Sequence, residues 1–513
     1  MNKILPKKNE SKFVFLIIII LALLILLPHF FGLTLQNEDR IYLGGKMFRT
    51  FDNLAYFSYI EQAREGFWGF YQLGLSIQQQ PYFFHPLWLA IGKFALVTNL
   101  SNLAAFLISQ LIFIIIFILL WYKFIKIFFD QPHEVKIVFI FSLTAGGFFT
   151  WLHETTTFLI LYLNPMLILS LILFLSVVWL AYKYLTENHQ IKYAWWSGVL
   201  CLLLLLNHFF DAVSLLVILG SFVLIAIFKK INLVQYIKYL LIVFLVTLPA
   251  IIYYLYLVIY IPAFGAAASA NITRSPPITF YLVSFGLVLV LAILGTFRLL
   301  TRKTIKTKWL ILIIWLGVQL CLLYAPVSFN RRLALGISLP MGLLAGYFFI
   351  YLWRLQTKLY LKQALKIFLI IGLLSGNVFL FTAEIIKISK YHFFISGDFY
   401  RSIIWLRQNT PRKTIVLADF KTCDTIISGF SGRFSLVTGG NATIDSWQYQ
   451  FINDFYKDNI NDDYKKDKLD QSGIDFVWYG HHERQIGSFQ PNEKTYLKLV
   501  YQSGIEQVYQ VVE

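Results

Sequence analysis

The chain has 513 residues, 58% of them hydrophobic and 14% charged, and its mean hydropathy is +0.65. Since soluble domains are about 45–50% apolar and about 25% charged, this composition excludes a wholly soluble protein and requires membrane lipid around much of the chain. The net charge of +17 does not indicate a nucleic-acid partner. Residues 387–513 hold 15 basic and 15 acidic side chains, whereas residues 1–386 hold 29 basic and 12 acidic ones. The surplus of positive charge therefore lies among the hydrophobic segments, as the positive-inside rule predicts.

The first predicted element is an uncleaved signal-anchor helix. An apolar run at 13–31 follows four lysines within the first twelve residues. The run is too long for a typical signal-peptide core, and no small-residue cleavage site follows it. We therefore predict a multi-pass protein of the cell (inner or plasma) membrane with a cytoplasmic N-terminus.

A long first outer loop, 34–102, is expected next. Within it Asp52, Tyr56 and Tyr59 have the i, i+4, i+7 spacing of one helix face. The alternative is a solvated helix lying on the membrane surface.

The stretch 85–100, which begins with His85, is apolar enough to span. If it does not span, 17 of the 20 basic residues between 103 and 386 are cytoplasmic, and if it spans the ratio inverts. The positive-inside rule therefore favours an interfacial or re-entrant segment.

Ten more apolar segments follow. Most reach the roughly 17–25 residues that a bilayer requires, and they lie at about 103–122, 137–152, 158–182, 193–208, 213–228, 239–260, 280–300, 309–327, 333–353 and 367–386. A single helix over 193–228 would be about 54 Å long, against a bilayer core of about 30 Å. The polar stretch 207–211 makes a hairpin the better prediction. The fold class is thus membrane all-α with about eleven transmembrane helices in a domain spanning 1–386.

Several ionisable residues lie in the predicted outer connections. Glu154 follows His153, and this segment could equally be an ordinary short loop. His208 and Asp211 could be a wet hairpin tip, because one His and one Asp do not make a metal site. Arg331 and Arg332 precede an expected helix at 333–353, on the side where the rule disfavours positive charge. Their guanidinium forks suit a phosphate, although headgroup anchoring is the alternative.

The tail, 387–513, is predicted to be a small extracytoplasmic α/β domain. Its β-rich runs are 414–418, 434–437, 474–479, 496–501 and 507–512. About 120 residues suffice for one small core.

The assembled features resemble the GT-C superfamily of integral-membrane glycosyltransferases, and in particular uncharacterised bacterial members. The likeness rests on the odd helix count, the long first outer loop with an Asp before a Tyr-containing helix, a second acid in the next outer loop, an outer basic pair and an outer C-terminal domain. The segments that carry it are Asp52…Tyr56…Gln62-Ala63…Gly66, His85-Pro86-Leu87-Trp88, Arg331-Arg332-Leu333…Gly336…Leu339-Pro340 and the tail stretch 473–484.

By this resemblance Asp52 is expected to be the catalytic base or a metal ligand, and Glu154 the second acid. Arg331, Arg332, Tyr56, His85 and His208 form the expected substrate-binding set. The cofactor implied is at most a divalent metal ion held by Asp52 and Glu154. Asn53 stands where many members carry an acid, so metal dependence stays open.

The leading hypothesis is a glycosyltransferase that moves a sugar from a polyprenyl-phosphate donor to an acceptor on the outer face of the membrane. The expected partners are membrane lipid and the lipid-linked donor. A transporter or flippase for a lipid-linked or acidic solute is the alternative, but such proteins usually place ionisable groups near the bilayer midplane. The third hypothesis is a non-catalytic membrane scaffold.

Overall fold

The computed structural model describes residues 8–44, 50–74, 79–144, 155–187, 189–270, 272–355, 358–422, 426–436, 446–457 and 459–512. They belong to two compact units. Unit 1 comprises 1–26, 107–254 and 272–383, and unit 2 comprises 27–106, 255–271 and 384–513. The predicted site residue Glu154 and its neighbour His153 lie outside the described residues.

The elements of the first half are, in chain order, α1 (Lys8–Thr34), β1 (Arg40–Tyr42), α2 (Thr50–Arg64), α3 (Pro86–Thr98), α4 (Asn102–Ile125), α5 (Pro132–Thr144), α6 (Thr157–Leu163), α7 (Pro165–Thr186), α8 (Ile191–Asn207), α9 (Phe209–Ser221), α10 (Val223–Phe228), α11 (Leu233–Tyr260) and α12 (Pro262–Ala270).

The second half contains α13 (Ile278–Leu300), α14 (Thr307–Leu322), a 3-10 helix (Asn330–Ala334), α15 (Ser338–Leu355), α16 (Leu359–Ser389), β2 (Phe394–Ser396), α17 (Gly397–Asn409), β3 (Ile415–Leu417), α18 (Phe420–Thr422), α19 (Ser428–Ser431), β4 (Phe434–Ser435), α20 (Ser446–Phe455), α21 (Asp462–Gln471), β5 (Phe476–Tyr479), α22 (Glu483–Ile486), a 3-10 helix (Pro491–Glu493), β6 (Leu497–Ser503) and β7 (Glu506–Val511).

The helices confirm a membrane-embedded, mostly α-helical protein. Among the described residues seven helical segments are long and apolar enough to cross a bilayer, namely Glu10–Thr34, Asn102–Ile125, Pro165–Thr186, Phe209–Phe228, Leu233–Tyr260, Ile278–Leu300 and Ser338–Leu355. Three shorter apolar helices are α3, α8 and α14. The total of about eleven spans stays a prediction.

Two of the interruptions in the predicted helices matter for the site residues. The segment 158–182 breaks at Asn164, which is extended and whose side chain accepts a hydrogen bond from the Leu167 N–H at 3.0 Å. Pro165 then occupies the first turn of α7, where its missing N–H costs nothing. The expected helix at 333–353 is also wrong at its start. Residues 330–334 form a 3-10 helix, Gly336 has φ of +84°, a conformation that favours glycine, and α15 begins only at Ser338.

Buried polar side chains bond the membrane helices of unit 1 to one another. The Trp121 indole N–H donates to the Ser142 hydroxyl at 2.8 Å. The hydroxyls of Thr157 and Ser338 lie 2.9 Å apart. Such bonds, with close packing, hold helices together where lipid removes the hydrophobic driving force.

The tail forms the α/β domain that was predicted from its alternating pattern. Its sheet has the order β4-β3-β5-β7-β6, with β3 parallel to β4 and β5, and β7 antiparallel to β5 and β6. Alternate strand residues face opposite sides, and both sides are covered. Leu417 and Val477 pack in one core with α20, whereas Val416 and Trp478 pack in another with α17.

The first loop and the tail belong to the same compact unit. Strand β1 pairs antiparallel with β2, so that Arg40 lies opposite Ser396. Helix α2 adds ion pairs. Glu61, which is fully buried, pairs with Arg407 and accepts a hydrogen bond from the Asn102 amide at 3.0 Å. Backbone and charge therefore both join the segment 34–102 to the segment 387–513.

Glu65, one turn after Glu61 on α2, provides a second link to the tail. Its carboxylate lies 3.3 Å from Arg412 and 3.7 Å from the buried Arg433. Burial raises the pKa of Glu65, and Arg433 and Arg412 partly offset the rise.

Replacing Arg407 tests how far this unit depends on the buried pair. Arg407→Ala leaves the Glu61 carboxylate buried with its main countercharge removed, and such a loss costs about 3 kcal/mol. We expect the thermal midpoint of the detergent-solubilised protein to fall by about 5–10 °C. The control is Arg401→Ala, which breaks an exposed pair with Asp398 and should cost under about 1 kcal/mol. Equal effects of the two variants would contradict the prediction.

Candidate functional site

Asp52 and Tyr56 lie on the first two turns of α2, next to a stack of aromatic rings. The Tyr56 ring stacks on Trp88 with the ring centres 4.5 Å apart and the planes 18° apart. Trp88 is also parallel to Phe106, with the ring centres 6.1 Å apart. Predicted site residue His85 is buried at the start of α3 with its ring 5.6 Å from Trp88. The structure thus brings Tyr56 and His85 together through one tryptophan, with half-buried Asp52 one turn from Tyr56.

Helix α2 is fixed in place by close packing and by its amides. A β-carbon at Gly92 of α3 would lie 2.4 Å from the Ala63 β-carbon and 2.7 Å from the Ile60 carbonyl, so only glycine permits this approach of α3 to α2. The Gln62 amide donates to the Tyr71 carbonyl at 3.2 Å and accepts from the Tyr71 N–H at 2.8 Å. The direction of α2, and hence the place of Asp52 within unit 2, is set by these contacts.

Arg331 and Arg332 lie on the 3-10 helix of unit 1, next to the turn between α8 and α9. The Arg332 guanidinium lies 4.8 Å from the centre of the Phe210 ring. Phe210 also contacts Phe329, with their centres 5.1 Å apart. The two connections that were predicted to be outer, 207–211 and 329–332, therefore pack together. Cation–π contact holds an arginine side chain without consuming its hydrogen-bond donors.

His208 forms an acid–imidazole pair with Asp211. The imidazole Nδ1 lies 2.7 Å from the Asp211 carboxylate, and both side chains are buried. The neighbouring Asn207 amide donates to the Met166 carbonyl and the Ser170 hydroxyl, each at 2.9 Å. A fixed imidazole can donate to or accept from a substrate oxygen, with the carboxylate orienting its ring.

The predicted site residues thus fall into two groups. Asp52, Tyr56 and His85 belong to unit 2, and His208, Arg331 and Arg332 belong to unit 1. Among the described residues no three His, Cys, Asp or Glu side chains cluster as metal ligands would. Of the expected metal-binding pair only Asp52 is described, so metal binding stays a prediction.

The tail domain contains a cavity that the sequence did not reveal. It measures about 360 Å³ and its walls include Asp419, Phe420, Asn453, His482 and Gln485. Asp419 follows β3 and His482 follows β5, which are adjacent parallel strands. Because β4 lies on the far side of β3, the chain reverses its winding between β3 and β5. Open α/β sheets bind ligands in the crevice beside the carboxyl ends of the strands at such a point.

Glu483, which follows the lining residue His482, joins the two loops that border this crevice. Its carboxylate accepts hydrogen bonds from the Asp419 N–H at 2.8 Å and the Gly480 N–H at 3.0 Å. Burial raises the pKa of Glu483 to about 7, although these backbone bonds favour the ionised form. The pair Glu483-Arg484 is visible in the sequence, but nothing in local pattern shows that Glu483 is buried between two loops.

Comparison with known proteins finds likeness in structure only. No protein-family model matches the sequence. No curated protein matches it either. The structure is similar to the oligosaccharyltransferase of Archaeoglobus fulgidus, with a TM-score of 0.60 and 14% identity over 91% of this chain and 69% of that one.

Two further enzymes are similar in structure. The arabinofuranosyltransferase AftD from Mycobacteria has a TM-score of 0.60 and 12% identity over 99% of this chain and 40% of that one. ArnT of Cupriavidus metallidurans bound to undecaprenyl phosphate has a TM-score of 0.50 and 9% identity over 96% and 97%. These are GT-C glycosyltransferases, so the GT-C-like fold predicted from the sequence is confirmed.

The raised pKa of Glu483 predicts a pH dependence of stability. Between its ordinary value near 4.5 and about 7, the folded state keeps a proton that the unfolded state releases. This contribution is fully present below about pH 4.5 and is lost as the pH rises through 7. We expect Glu483→Gln to flatten the fall of the thermal midpoint across that range.

The matched control for this measurement is Glu493→Gln, which changes an exposed carboxylate of the same domain. Its midpoint should follow the wild-type curve. If Glu483→Gln also follows the wild-type curve, Glu483 does not hold a proton in the folded protein near neutral pH.

Proposed function

We propose that this protein is a membrane glycosyltransferase that moves a sugar from a polyprenyl-phosphate donor to an acceptor at the outer face of the membrane. The observation that carries the proposal is the arginine pair on a 3-10 turn of a GT-C-like fold, packed against the turn that holds His208 and Asp211. The positive-inside rule disfavours arginine on the outer side, so an anionic partner there is a reason for keeping two. The similar ArnT structure holds undecaprenyl phosphate, and the similar archaeal oligosaccharyltransferase has been solved with a dolichol-phosphate.

The reaction has two chemical requirements. An acceptor hydroxyl must lose its proton as its oxygen attacks the anomeric carbon of the sugar. The bond from that carbon to the phosphate oxygen breaks, and the polyprenyl phosphate leaves with the electron pair. Cations must stabilise the developing charge on the phosphate.

We assign these roles from charge and position. Asp52 is the proposed base and accepts the acceptor's proton. Arg331 or Arg332 binds the donor phosphate, since a guanidinium stays charged in an apolar setting and matches phosphate oxygens with two donors. Glu154 is proposed to hold a divalent metal ion or to orient the acceptor. Tyr56, His85 and His208 are proposed to contact the substrates.

The tail is proposed to bind the acceptor. The crevice between β3 and β5 offers a carboxylate, two amides and an imidazole beside the Phe420 ring, from Asp419, Asn453, Gln485 and His482. A hydroxyl-rich ligand such as a glycan needs this mixture of polar groups and an aromatic surface. Neither the acceptor nor the sugar is specified by these groups.

The proposal requires the tail to lie outside the cytoplasm. Of the 20 basic residues between 103 and 386, 17 are cytoplasmic in the predicted topology and three are external. The positive-inside rule therefore predicts a cytoplasmic N-terminus and an external C-terminus. An alkaline phosphatase fused after Glu513 should therefore be active, and a fluorescent protein that folds only in the cytoplasm should be dark. The opposite pair of signals would reverse the topology and remove the proposed outer site.

Two substitutions separate the proposed roles. Asp52→Asn should reduce sugar transfer from a panel of undecaprenyl-phosphate sugars by about 10²–10⁴-fold, because the base is lost. It should leave stabilisation of the protein by undecaprenyl phosphate unchanged. Arg332→Ala should weaken that stabilisation, because a charged phosphate ligand is removed.

Each variant has a matched control in the same region. Glu38→Gln removes an exposed carboxylate of the first loop, and Arg274→Ala removes an exposed arginine of unit 1. Both should behave as the wild type does. Wild-type transfer by Asp52→Asn would exclude Asp52 as the base and would make Asp39 the next candidate. If no variant changes transfer or lipid binding, the non-catalytic scaffold becomes the better hypothesis.

A further inference from the structure

A second basic site lies in unit 1, at the opposite ends of the helices from the arginine pair. It is a cavity of about 390 Å³ where α5 and α14 begin and where α13 and α15 end, and we name it the basic cavity. Arg332 precedes α15 by a short turn, and Arg354 lies in the last turn of α15. Its 18 residues make a helix about 27 Å long. The positive-inside rule predicts the basic cavity to be at the cytoplasmic surface.

Positive charge dominates the lining of the basic cavity. Two acidic side chains, Asp130 and Glu134, face five basic ones, which are Arg298, Arg302, Lys306, Lys308 and Arg354. Arg354 pairs with Glu134. Lys308 donates to the main-chain carbonyls of Ile127 at 2.6 Å and Phe128 at 3.2 Å.

Three of the five bases keep their charge available. In the described part of the chain, Arg298, Arg302 and Lys306 have no carboxylate within ion-pair distance. The topology rule explains positive charge at this surface. It does not explain why three cations line one concave space, with Arg298 half-buried in it and Arg302 and Lys306 exposed at its edge. Convergent cations around a cavity are the arrangement that binds a phosphate.

Arg298 shows that the cavity is preorganised. Its guanidinium lies 3.3 Å from the centre of the Tyr351 ring. Stacking fixes the plane of the guanidinium and leaves its N–H groups directed outward from the ring edge. The Nε atom is buried, and no hydrogen-bond acceptor reaches it among the described residues. A buried donor of this kind costs free energy unless a ligand satisfies it.

The surroundings favour a lipid over a soluble anion. Just before Arg298, helix α13 exposes Ile293, Leu294 and Phe297, the last with 66% of its surface exposed. In a membrane-embedded chain this apolar strip faces acyl chains. Trp309 and Tyr347 also line the cavity, and such aromatics are enriched at the level of lipid headgroups. Headgroup-level cations beside an acyl-facing strip match both parts of one phospholipid.

We propose that the basic cavity binds the phosphate of an anionic membrane phospholipid, with Arg298, Arg302 and Lys306 as ligands of the headgroup and α13 as the surface for an acyl chain. The lipid is structural or regulatory and is distinct from the sugar donor, whose proposed phosphate ligands lie at the other ends of the helices. The site does not depend on the glycosyltransferase activity proposed above.

The test compares lipid retention by two matched double variants of the full chain. Wild type, Arg302→Gln/Lys306→Gln and the control Lys303→Gln/Lys358→Gln are reconstituted into nanodiscs of equal parts phosphatidylglycerol and phosphatidylcholine. Lys303 and Lys358 are exposed on the same unit and do not line the cavity. Native mass spectrometry then measures the ratio of the two lipids that remain bound after release. A parallel arm measures thermal stabilisation by phosphatidylglycerol and by millimolar inorganic phosphate in neutral detergent.

We expect the wild type and the control to retain phosphatidylglycerol preferentially, and the cavity variant to lose that preference by about 10- to 30-fold. Equal retention by all three proteins would overturn the proposal. The proposal would also be overturned if inorganic phosphate stabilised the protein as strongly as phosphatidylglycerol does, because the ligand would then be a free anion. If the double variant does not fold, Lys306→Gln alone is measured, with Lys303→Gln as its control.

Discussion

Where a helix is interrupted inside a bilayer, no water is present to hydrogen-bond the main-chain N–H and C=O groups, so other groups of the protein must bond them. The Gln319 amide shows how this is done, since it donates to the carbonyls of Leu333 at 3.1 Å and Leu335 at 2.7 Å, just where the helix predicted at 333–353 is interrupted. Trp315 donates to the same side chain at 2.7 Å. With that support the chain can leave the helical path before α15 and present Arg331 and Arg332 on a 3-10 turn. The proposed phosphate ligands therefore depend on a buried amide at a distance from them in sequence.

In unit 2 the corresponding constraint is the position of helix α2, which carries Asp52. Helix α2 has apolar contacts with α3 through Trp88 and Gly92, and it has carboxylates, Glu61 and Glu65, directed at arginines of the tail. Burying charge is costly, and a pair compensates for that cost only when its partners are held in place. The arrangement consequently specifies how α2 docks within unit 2, because a shift of α2 would leave Glu61 buried without its arginine. The position of Asp52 within unit 2 is therefore set by the contacts of α2 with α3 and the tail.

Charge plays opposite roles at the two ends of the helices of unit 1. At the end that the positive-inside rule predicts to be outer, two arginines lie on an irregular turn beside an acid–imidazole pair. At the end that the rule predicts to be cytoplasmic, the bases are numerous, and a subset of them surrounds a cavity. Composition alone cannot distinguish a base that sets topology from a base that binds a ligand. The distinction comes from whether its partners are solvent, a carboxylate of the chain or the wall of a cavity.

The sequence by itself determined the membrane-embedded helical class, the strand runs of the tail and the break at His208, because hydropathy period and turn residues act over short distances. Ile415–Leu417 and Phe476–Tyr479 lie inside the runs that alternation predicted. It also singled out His208 and Arg332, since ionisable residues at apolar helix ends are rare. Only the tertiary structure decided that the turns carrying these two residues pack together, that Glu61 meets Arg407 across 346 residues of sequence, and that the Glu483 carboxylate accepts a hydrogen bond from the Asp419 N–H. These contacts join segments whose local patterns carry no information about each other, so only the folded chain reveals them.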